Sequence, residues 1–409
     1  MDFKELNLVT PLLQALQQQE YIQPTPIQQK AIPAVLQQRD ILACAQTGTG
    51  KTAAFALPIL QLLYNQKAAG DTSTGIKALI LTPTRELAIQ IEESFTNYGA
   101  FTGLKHVAVY GGVSQYHQVK KLRQGIDILI ATPGRLLDLL MRRHLSFGQI
   151  KLLVLDEADR MLDMGFIIDV QKIIKGLPLQ KQTLFFSATM PPEIVRLSQN
   201  MLKNPVKIEI TPVSSTVATI EQAVYFVNRE DKRQLLVHLL KNKEIESALV
   251  FTETKFAADK LCYGLQGQNI RVEVIHGDKS QAERQRTLTD FKNKKIPVLI
   301  ATDIAARGID IEALSHVINF ELPSIAETYV HRIGRTGRAG ANGKAISFCA
   351  IEEKAMLRDI QKLTAQEIPV INDHPFATAD AGLQAPPANN LVAFRGHGKG
   401  RKGKIFMQR

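Results

Sequence analysis

The chain has 409 residues, of which 45% are hydrophobic and 22% charged. This length is too great for one ordinary hydrophobic core and predicts two domains, and no apolar run approaches the roughly 20 residues that a transmembrane helix needs. The net charge of +11 favours a polyanionic partner, although many basic proteins bind none.

Cysteine usage and the amino terminus predict the compartment. The three cysteines (Cys44, Cys262 and Cys349) are widely spaced, and none belongs to a cluster with metal-ligand spacing. Met1 to Glu5 show neither the basic start nor the apolar core of a secretion signal. Both features predict a reducing, cytosolic environment.

The first predicted strand, Ile41–Cys44, leads into the most informative segment. Ala45-Gln46-Thr47-Gly48-Thr49-Gly50-Lys51-Thr52 is rich in glycine and opens a predicted helix. Glycines let backbone N–H groups converge on phosphate oxygens, and the helix N-terminus adds positive charge. Lys51 can reach the β- and γ-phosphates, and Thr52 can ligate Mg²⁺. The segment predicts a nucleoside triphosphate site, and a chance surface turn is the alternative.

Further apolar runs predict parallel strands, and two of them recur. Residues 78–82 (ALILT) reappear as 248–252 (ALVFT), and 128–132 (ILIAT) reappear as 298–302 (VLIAT), at the same separation. Continuous apolar runs are typical of strands covered on both faces, and amphipathic stretches lie between them. The alternation predicts two doubly wound α/β domains. The second half has no Gly-rich Lys-Thr segment, so one nucleotide site would serve both domains.

Polar motifs follow directly after the predicted strands, where open parallel sheets bind their ligands. Small, hydroxyl-bearing or basic residues at these strand ends are candidate contacts to nucleic-acid phosphates. They are Pro83, Thr84, Arg85, Gly111, Gly112, Thr132, Pro133, Gly134, Arg135, Gln281, Arg284 and Thr302. Taken singly, each is typical of an ordinary turn, and only the shared position favours binding. With 6% aromatic residues and no tryptophan, a base-stacking platform is not expected.

Two acidic residues follow the predicted strand Lys151–Leu155. A carboxylate at a strand end beside a phosphate loop can hold Mg²⁺, which makes Asp156 a candidate ligand together with Thr52. Glu157 is then the candidate that orients or deprotonates an attacking water. A solvated surface cluster is the alternative for such a pair, and the strand and loop context favours catalysis.

The second half supplies the cations that phosphoryl transfer needs. Thr211–Thr219 predicts an extended linker, and His331-Arg332-Ile333-Gly334-Arg335-Thr336-Gly337-Arg338 follows farther on. We expect Arg335 and Arg338 to reach across a cleft to the terminal phosphate, so that hydrolysis requires the two domains to close. A basic helix start that binds nucleic acid is the alternative.

The end of the chain is basic and unsuited to a core. From Ala381 onward no residue is acidic, and the cations there are Arg395, Lys399, Arg401, Lys402, Lys404 and Arg409. The composition predicts a flexible tail over residues 371–409 that tethers phosphates without reading sequence. A solubilising terminus is the alternative.

In this order, the motifs resemble those of the DEAD-box ATP-dependent RNA helicases, which have two tandem RecA-like domains. Asp156-Glu157-Ala158-Asp159 is the namesake of the family, and the resemblance runs from Phe3 to Val370. It implies an ATP-binding domain over residues 1–210, a linker over 211–219 and a helicase domain over 220–370. Leu357-Arg358-Asp359-Ile360 and Glu367-Ile368-Pro369 resemble the bacterial RhlE-type branch.

The resemblance implies an adenine-reading motif at Pro24-Thr25-Pro26-Ile27-Gln28. Gln28 would hydrogen-bond the adenine edge, and Phe3 would stack on the ring. This chain has Glu20 where the family usually has Gly before the aromatic residue, a departure that touches a turn.

The resemblance also implies coupling and cleft residues. Five residues would couple the nucleotide site to RNA, and two acids would lie near the ribose and the interdomain cleft. The coupling residues are Asp159, Ser187, Thr189, His331 and Arg332, and the acids are Asp303 and Asp310.

The implied activity is hydrolysis of ATP on RNA binding. It would locally unwind short RNA duplexes or remodel RNA–protein complexes, with ATP and Mg²⁺ as cofactors and a monomer as the working form. An ATP-gated RNA clamp without productive unwinding and a DNA translocase are the alternatives. A metabolic kinase is disfavoured, because the arginine cluster would then lie in a whole domain with no small-substrate role.

Overall fold

The computed structural model describes residues 2–45, 48–210, 220–241, 245–306, 314–337 and 343–378. Gln46, Thr47, Asp310 and Arg338 of the predicted site lie outside these ranges, as do the predicted linker and the tail from residue 379 onward. No helix within the described ranges is long and apolar enough to cross a membrane.

The first domain alternates helices with strands. A 3₁₀ turn, Phe3–Leu6, precedes the first helix. The strands are β1 (Ile41–Cys44), β2 (Ala78–Leu81), β3 (His106–Val109), β4 (Ile128–Ala131), β5 (Leu152–Leu155), β6 (Gln182–Ser187) and β7 (Val206–Glu209). The helices are α1 (Thr10–Gln18), α2 (Pro26–Leu36), α3 (Lys51–Ala68), α4 (Arg85–Tyr98), α5 (Gln115–Arg123), α6 (Pro133–Met141), α7 (Ala158–Asp163), α8 (Ile167–Lys175) and α9 (Pro192–Met201).

The second domain repeats this alternation. Its strands are β8 (Ile220–Phe226), β9 (Ala248–Thr252), β10 (Val272–Ile275), β11 (Val298–Thr302), β12 (His316–Asn319) and β13 (Gly343–Cys349). Its helices are α10 (Lys232–Leu240), α11 (Lys255–Gln266), α12 (Gln281–Lys292), α13 (Asp303–Ala306), α14 (Ala326–Ile333) and α15 (Lys354–Thr364). A 3₁₀ turn, Ile351–Glu353, precedes the last helix.

The two sheets repeat one order of parallel strands. The first runs β3-β4-β2-β5-β6-β1-β7 and the second β10-β11-β9-β12-β13-β8, and every neighbouring pair is parallel. The central order β4-β2-β5-β6-β1 corresponds to β11-β9-β12-β13-β8, in which the repeated sequence pairs occupy equivalent places. The predicted pair of doubly wound α/β domains is confirmed.

The inner strands of both sheets are buried on both faces, as their continuous apolar runs predict. In β2 every residue is buried, with Ala78 and Ile80 in one core cluster and Leu79 and Leu81 in the other. Leu81 lies opposite both Ala131 and Leu155 in the sheet. The motifs that follow β2, β4 and β5 therefore leave the sheet at one edge, where they can form a common site.

The strand-end motifs also start the helices. The Thr84 hydroxyl accepts a hydrogen bond of 3.3 Å from the Leu87 N–H at the start of α4. Ser280 and Glu283 form a reciprocal capping box at the start of α12. Each side chain satisfies a backbone N–H that the first helical turn leaves unpaired.

The ordered structure continues beyond Val370, where the sequence places the start of the tail. The Ile371 N–H donates to the Val224 carbonyl over 2.9 Å, which extends the edge of β8. The centroids of the His374 and Tyr225 rings lie 5.3 Å apart, and Phe376 packs against the hydrophobic core of the second domain. The tail boundary at residue 371 is thus too early, because the sequence from 371 to 376 has few apolar residues and only the contacts with β8 reveal its packing.

Candidate nucleotide site and interdomain cavity

The predicted phosphate loop joins β1 to α3. The Ala45 N–H donates to the Ser187 carbonyl over 3.0 Å, which ties the start of the loop to the end of β6. Lys51 is the first residue of α3, and its buried ammonium donates to the Ala45 carbonyl over 3.0 Å. The lysine ammonium therefore folds back onto the start of the predicted phosphate loop. Thr52 follows it on the first turn of α3.

Gly50 is required by the contact between the loop and the predicted adenine motif. Its φ is +88°, and a Cβ there would lie 2.5 Å from Nε2 of Gln28. Gln28 is 2% exposed. Its Oε1 accepts from the Thr25 N–H over 2.9 Å, and its Nε2 donates to the Gly50 carbonyl over 3.1 Å. One amide thus caps α2 and fixes the backbone of the phosphate loop.

Phe3 does not have the place that the resemblance implies. Its ring is 2% exposed and belongs to the core of the first domain. A buried ring presents no face for an adenine to cover, so stacking on Phe3 is not available in this conformation. The residue instead anchors the 3₁₀ turn Phe3–Leu6 to the core.

Glu20 lies in the turn before the predicted adenine motif, where the family usually has glycine. Its φ is +56°, in the left-handed region that favours glycine. The family's glycine suits this backbone, and this chain adopts the same turn with a glutamate.

Asp156 is a buried carboxylate with an open coordination position. Its Oδ1 has no hydrogen-bond partner within the part of the chain that the structure describes. Burial raises the pKa of Asp156, and the nearby Lys51 charge lowers it in part. A divalent cation would satisfy such an oxygen, so Asp156 and Thr52 fit a Mg²⁺ site. No group of three or more His, Cys, Asp or Glu suited to a metal occurs among the described residues.

Glu157 stands at the start of α7 in a left-handed conformation, with φ +53°. Its Oε2 accepts a hydrogen bond of 3.0 Å from the guanidinium of Arg160, and both side chains are buried. The two residues form an ion pair inside the closed cleft.

The predicted coupling residues of the first domain are in direct contact. One carboxylate oxygen of Asp159 accepts from the N–H of Thr189 over 2.8 Å and from its hydroxyl over 2.9 Å. The Asp159 N–H donates to the Ser187 hydroxyl over 3.2 Å, and that hydroxyl donates to the Thr189 carbonyl over 2.7 Å. The Ser187 carbonyl also accepts from the Ala45 N–H at the start of the phosphate loop. This network therefore joins Asp159 to the loop.

The basic segment of the second domain faces these acids. A small cavity between the domains is lined by Arg160 and, from the second domain, by Phe251, Asp303, Ala306, Thr328, His331, Arg332 and Arg335. Burial lowers the pKa of His331, the charges of Arg160 and Arg335 lower it further, and Asp159 and Glu157 act in the opposite direction. The imidazole is therefore held neutral at the boundary between the domains.

Arg332 and Asp303 bind each other. Nε and Nη2 of Arg332 donate to the two carboxylate oxygens of Asp303 over 2.6 and 2.8 Å. The guanidinium also donates to the side chain of Asn319 and stacks on Phe251 at 5.0 Å from the ring centroid. Arg332 thus braces the second domain. Asp303 lines the small interdomain cavity, with its carboxylate engaged by that arginine.

Most of the predicted nucleic-acid contacts surround one cavity of ≈ 450 Å³. It is lined by Pro83, Thr84, Arg85, Glu86, Gly111, Thr132, Gly134, Arg135, Asp138, Met164 and Phe166 of the first domain and by Gly277 and Arg284 of the second. Gly112, Pro133, Gln281 and Thr302 do not line it. Residues from both domains meet there, so the cavity depends on how the domains are arranged.

Two arginines of this cavity are fixed by the glycine loop after β3. Gly112 has φ +77°, and a Cβ there would lie 1.9 Å from the Arg85 guanidinium. Arg135 donates to the Val113 carbonyl over 2.9 Å and to the Gln118 side chain over 2.8 Å. The backbone of residues 111–113 therefore aligns both guanidinium groups.

Arg284 and Gln281 use their donors across the domain boundary. Nε and Nη2 of Arg284 each lie 2.9 Å from Oε1 of Glu86, and Nη1 donates to the His276 carbonyl over 3.3 Å. The Gln281 amide donates to the same Glu86 oxygen over 3.3 Å. The two residues predicted as phosphate contacts thus bind a carboxylate of the first domain, in an ion pair with both side chains less than a tenth exposed.

The second domain has a lysine where the first has its phosphate-loop lysine. Lys232 begins α10 after β8, as Lys51 begins α3 after β1. Its buried ammonium lies 2.6 Å from the Glu353 carboxylate and donates to the Phe320 carbonyl over 2.9 Å. The connecting residues 227–231 (VNRED) contain no glycine. The Lys232 ammonium is thus bound by groups of the protein itself.

Sequence reasoning missed two residues of these sites, Glu86 and Arg160. Glu86 follows Arg85 in a motif whose other members were selected, and Arg160 follows the four acidic-motif residues directly. The only sequence signal for Glu86 and Arg160 is that each directly follows a predicted site residue. Their partners lie in the other domain or on the same short helix, and a pattern of residue types does not show such pairs.

The fold and these sites define a two-domain P-loop nucleoside triphosphatase with tandem RecA-like sheets. Residues 25–197 match the family described as DEAD/DEAH box helicase, and residues 231–340 match the helicase conserved C-terminal domain. The chain belongs to the DEAD-box ATP-dependent RNA helicase family. It is 44% identical to the helicase RhpA of Helicobacter pylori over 377 residues, which cover 91% of this chain and 75% of the relative.

Solved structures of family members superpose on the chain to different extents. Dbp5 of S. cerevisiae bound to RNA and ADP BeF3 is 33% identical and superposes with a TM-score of 0.80, over 90% of this chain and 95% of that one. A DEAD box protein of Methanococcus jannaschii is 42% identical over 91% of this chain and 99% of that one, with a TM-score of only 0.52. The chain as a whole therefore superposes better on the RNA- and nucleotide-bound Dbp5 than on the M. jannaschii protein, although it is more similar in sequence to the latter.

Proposed function

We propose that this protein is an ATP-dependent RNA helicase that hydrolyses ATP when RNA holds its two domains together. One observation carries the proposal. Glu157 and Asp159 of the first domain lie close enough to His331 of the second to act on its charge, and Arg160 meets His331 and Arg335 across a small cavity. The same arrangement completes the ≈ 450 Å³ cavity lined by strand-end arginines. RNA bound in the cavity and ATP bound at the loop would each favour the arrangement that the other requires.

The residues divide the reaction between them. Lys51 and the loop N–H groups would bind the triphosphate, and Gln28 would hold the loop and meet the adenine edge. Mg²⁺, held by Asp156 and Thr52, would neutralise charge on the phosphates. Glu157 would accept a proton as a water oxygen bonds to the γ-phosphorus, and the bond to the leaving oxygen of ADP would break. Arg335 and Arg338 would stabilise the charge on the transferred group.

RNA would be gripped through its phosphates. Thr84, Arg85, Thr132 and Arg135 offer hydroxyl and guanidinium donors at one edge of the first sheet, which positions a strand without reading its bases. A bent strand held in this way would separate from its complement only locally. We further infer a cytosolic monomer of the RhlE-type branch that acts on RNA or ribonucleoprotein particles, with residues 381–409 as a basic tether.

Paired assays test the proposal. We expect ATP hydrolysis that single-stranded RNA stimulates and single-stranded DNA does not, together with ATP-dependent displacement of a short RNA strand. Lys51→Ala should abolish hydrolysis, and Glu157→Gln should stop it while ATP and RNA stay bound. Stimulation by DNA would favour the translocase, and RNA-stimulated hydrolysis without displacement would favour the clamp.

The role of the tail has its own test. Removal of residues 382–409 should weaken RNA binding mainly at low salt and leave the maximal hydrolysis rate unchanged, because the lost contacts are phosphate ion pairs that salt screens. RNA affinity that is equal with and without the tail at every salt concentration would contradict the tether.

A further inference from the structure

Arg160 lies between the second domain and Glu157, the proposed catalytic base. It is the third residue of α7 and its side chain is 4% exposed. Its guanidinium donates to Glu157 over 3.0 Å within the same short helix. The left-handed conformation of Glu157 at the start of that helix brings the two side chains together.

The surroundings of Arg160 are rich in positive charge. Across the small interdomain cavity it faces His331, Arg332 and Arg335. Arg332 is neutralised by its two bonds to Asp303. A buried arginine beside other cations is costly unless a carboxylate compensates it, and Glu157 is the carboxylate bonded to it.

Closure of the domains should strengthen the ion pair between Arg160 and Glu157. With the second domain away, Arg160 would stand at the open edge of the first domain, where water weakens an ion pair. With the domains together, the pair is desolvated and the carboxylate is restricted to one orientation. The interface therefore converts a loose contact into a fixed one.

We propose that Arg160 is a positioning residue for Glu157, which orients the carboxylate towards the attacking water only when the second domain covers it. The proposal rests on the proposed function and adds to it the means by which closure activates hydrolysis. Arg160 acts through Glu157 and touches neither the water nor the phosphate.

The test compares Arg160→Gln and Arg160→Lys with Arg196→Gln. Arg196 forms an ion pair with Glu193 at the same i,i+3 spacing on α9, but in an exposed position, so it is the matched control. We expect Arg160→Gln to lower kcat about 10- to 100-fold, since a displaced catalytic group can cost about that much. The KM for ATP and the affinity for RNA with a non-hydrolysable ATP analogue should change less than about 3-fold. Arg160→Lys should recover part of kcat, and Arg196→Gln should match the wild type.

A double variant shows whether Arg160 acts through Glu157. In single-turnover reactions, Arg160→Gln should slow the wild type but should not further slow the residual hydrolysis that the Glu157→Gln variant retains, because the group that it positions has already been replaced. Equal slowing in both backgrounds would overturn the proposal.

Other outcomes are equally decisive. An unchanged or faster kcat in Arg160→Gln would overturn the proposal, the latter by showing that the arginine restrains Glu157. Loss of analogue-dependent RNA binding in step with kcat would overturn it in favour of an interdomain brace. A wild type without RNA-stimulated hydrolysis would refute the proposed function along with this proposal, whereas an active wild type with an unimpaired variant refutes this one alone.

Discussion

Gln28 shows how a single side chain joins two motifs. Its carbonyl oxygen caps α2 at Thr25, and its amide donates to Gly50 in the phosphate loop. A role in reading adenine alone would leave this second bond unexplained. The residue also holds the loop in shape, so that replacing it should affect phosphate binding as well as base recognition.

The substitution Gln28→Glu separates these roles. Glutamate keeps the acceptor for the Thr25 N–H but places an oxygen against the Gly50 carbonyl, which repels it. We expect the Kd for ATP to rise about 10-fold, equivalent to about 1.4 kcal/mol. Binding of inorganic tripolyphosphate, which has no base, should weaken similarly. Fluorescence displacement or calorimetry measures both.

Gln29→Glu is the control for this experiment. The Gln29 amide donates to the Pro24 carbonyl over 2.8 Å, away from the loop. Gln29→Glu should therefore leave tripolyphosphate binding unchanged. If Gln28→Glu weakened ATP but not tripolyphosphate, the residue would read adenine only.

At the scale of elements, the ends of the strands do more than present side chains. Thr84 caps α4, and the glycine loop after β3 supports two guanidinium groups. These short connections combine helix starts with binding groups, because the unpaired N–H groups of a first turn are donors that either a capping side chain or a bound phosphate can accept from. The geometry of the connection therefore sets the direction of each arginine.

Gly112→Ala tests whether the glycine loop after β3 sets the direction of Arg85. A Cβ there would meet the Arg85 guanidinium at 1.9 Å, so the arginine must move. We expect the RNA concentration for half-maximal ATPase stimulation to rise about 10-fold, or about 1.4 kcal/mol. The hydrolysis rate at saturating RNA should fall much less.

Gly125→Ala is a matched control for backbone strain. Its φ is +75°, and nothing lies within 4 Å of the added Cβ. Both variants should lose comparable stability, about 1–2 kcal/mol for a left-handed residue with a side chain. Equal effects of the two on RNA stimulation would show that strain, rather than the displaced arginine, is responsible.

At the scale of the whole molecule, the contacts between domains combine ionic and titratable groups. Glu86 pairs with Arg284 beside the cavity, and His331 lies against Arg160 beside the acids. Neither contact forms within one domain. Each should therefore affect closure without changing the stability of either domain.

Glu86→Gln tests the ionic contact. The variant leaves the buried Arg284 without its counter-charge in the closed form, and removing one partner of a buried ion pair typically costs about 3–5 kcal/mol. Because the domains can open and return the arginine to water, we expect a smaller loss, seen as an RNA concentration for half-maximal ATPase that rises about 10-fold or more. Thermal unfolding of the domains should not change.

Glu193→Gln removes an exposed ion pair of the first domain and serves as the comparison. It should leave RNA stimulation as in the wild type. A wild-type response from Glu86→Gln as well would mean that the interdomain pair does not contribute to closure.

His331 makes closure sensitive to pH. Its pKa is lowered in the closed form by burial first and then by the neighbouring arginines, whereas an exposed histidine has a pKa of about 6.5. Above about pH 6.5 the residue is neutral in both forms and closure is unaffected. As the pH falls below that value, the open form gains a proton that the closed form resists, so closure weakens.

The measurement is analogue-dependent RNA affinity between about pH 7.5 and 5.5, a window that spans the ordinary histidine pKa. Affinity should fall by up to about 10-fold per pH unit in the acid half of that window. His331→Gln should flatten the profile, and an identical slope in the variant would assign the effect to another group.

The sequence by itself determined the fold and the chemistry of the nucleotide loop. Continuous apolar runs define buried parallel strands, and local residue order defines a phosphate loop, because both depend on neighbours in the chain. Only the tertiary structure decided what meets across the cleft. Within the first domain it buried Phe3 in the core and paired Arg160 with Glu157. Across the cleft it paired Arg284 and Gln281 with Glu86 and placed His331 opposite Arg160. The pairings across the cleft depend on how two separately folded sheets approach each other, and the spacing of residues along one chain does not specify that distance.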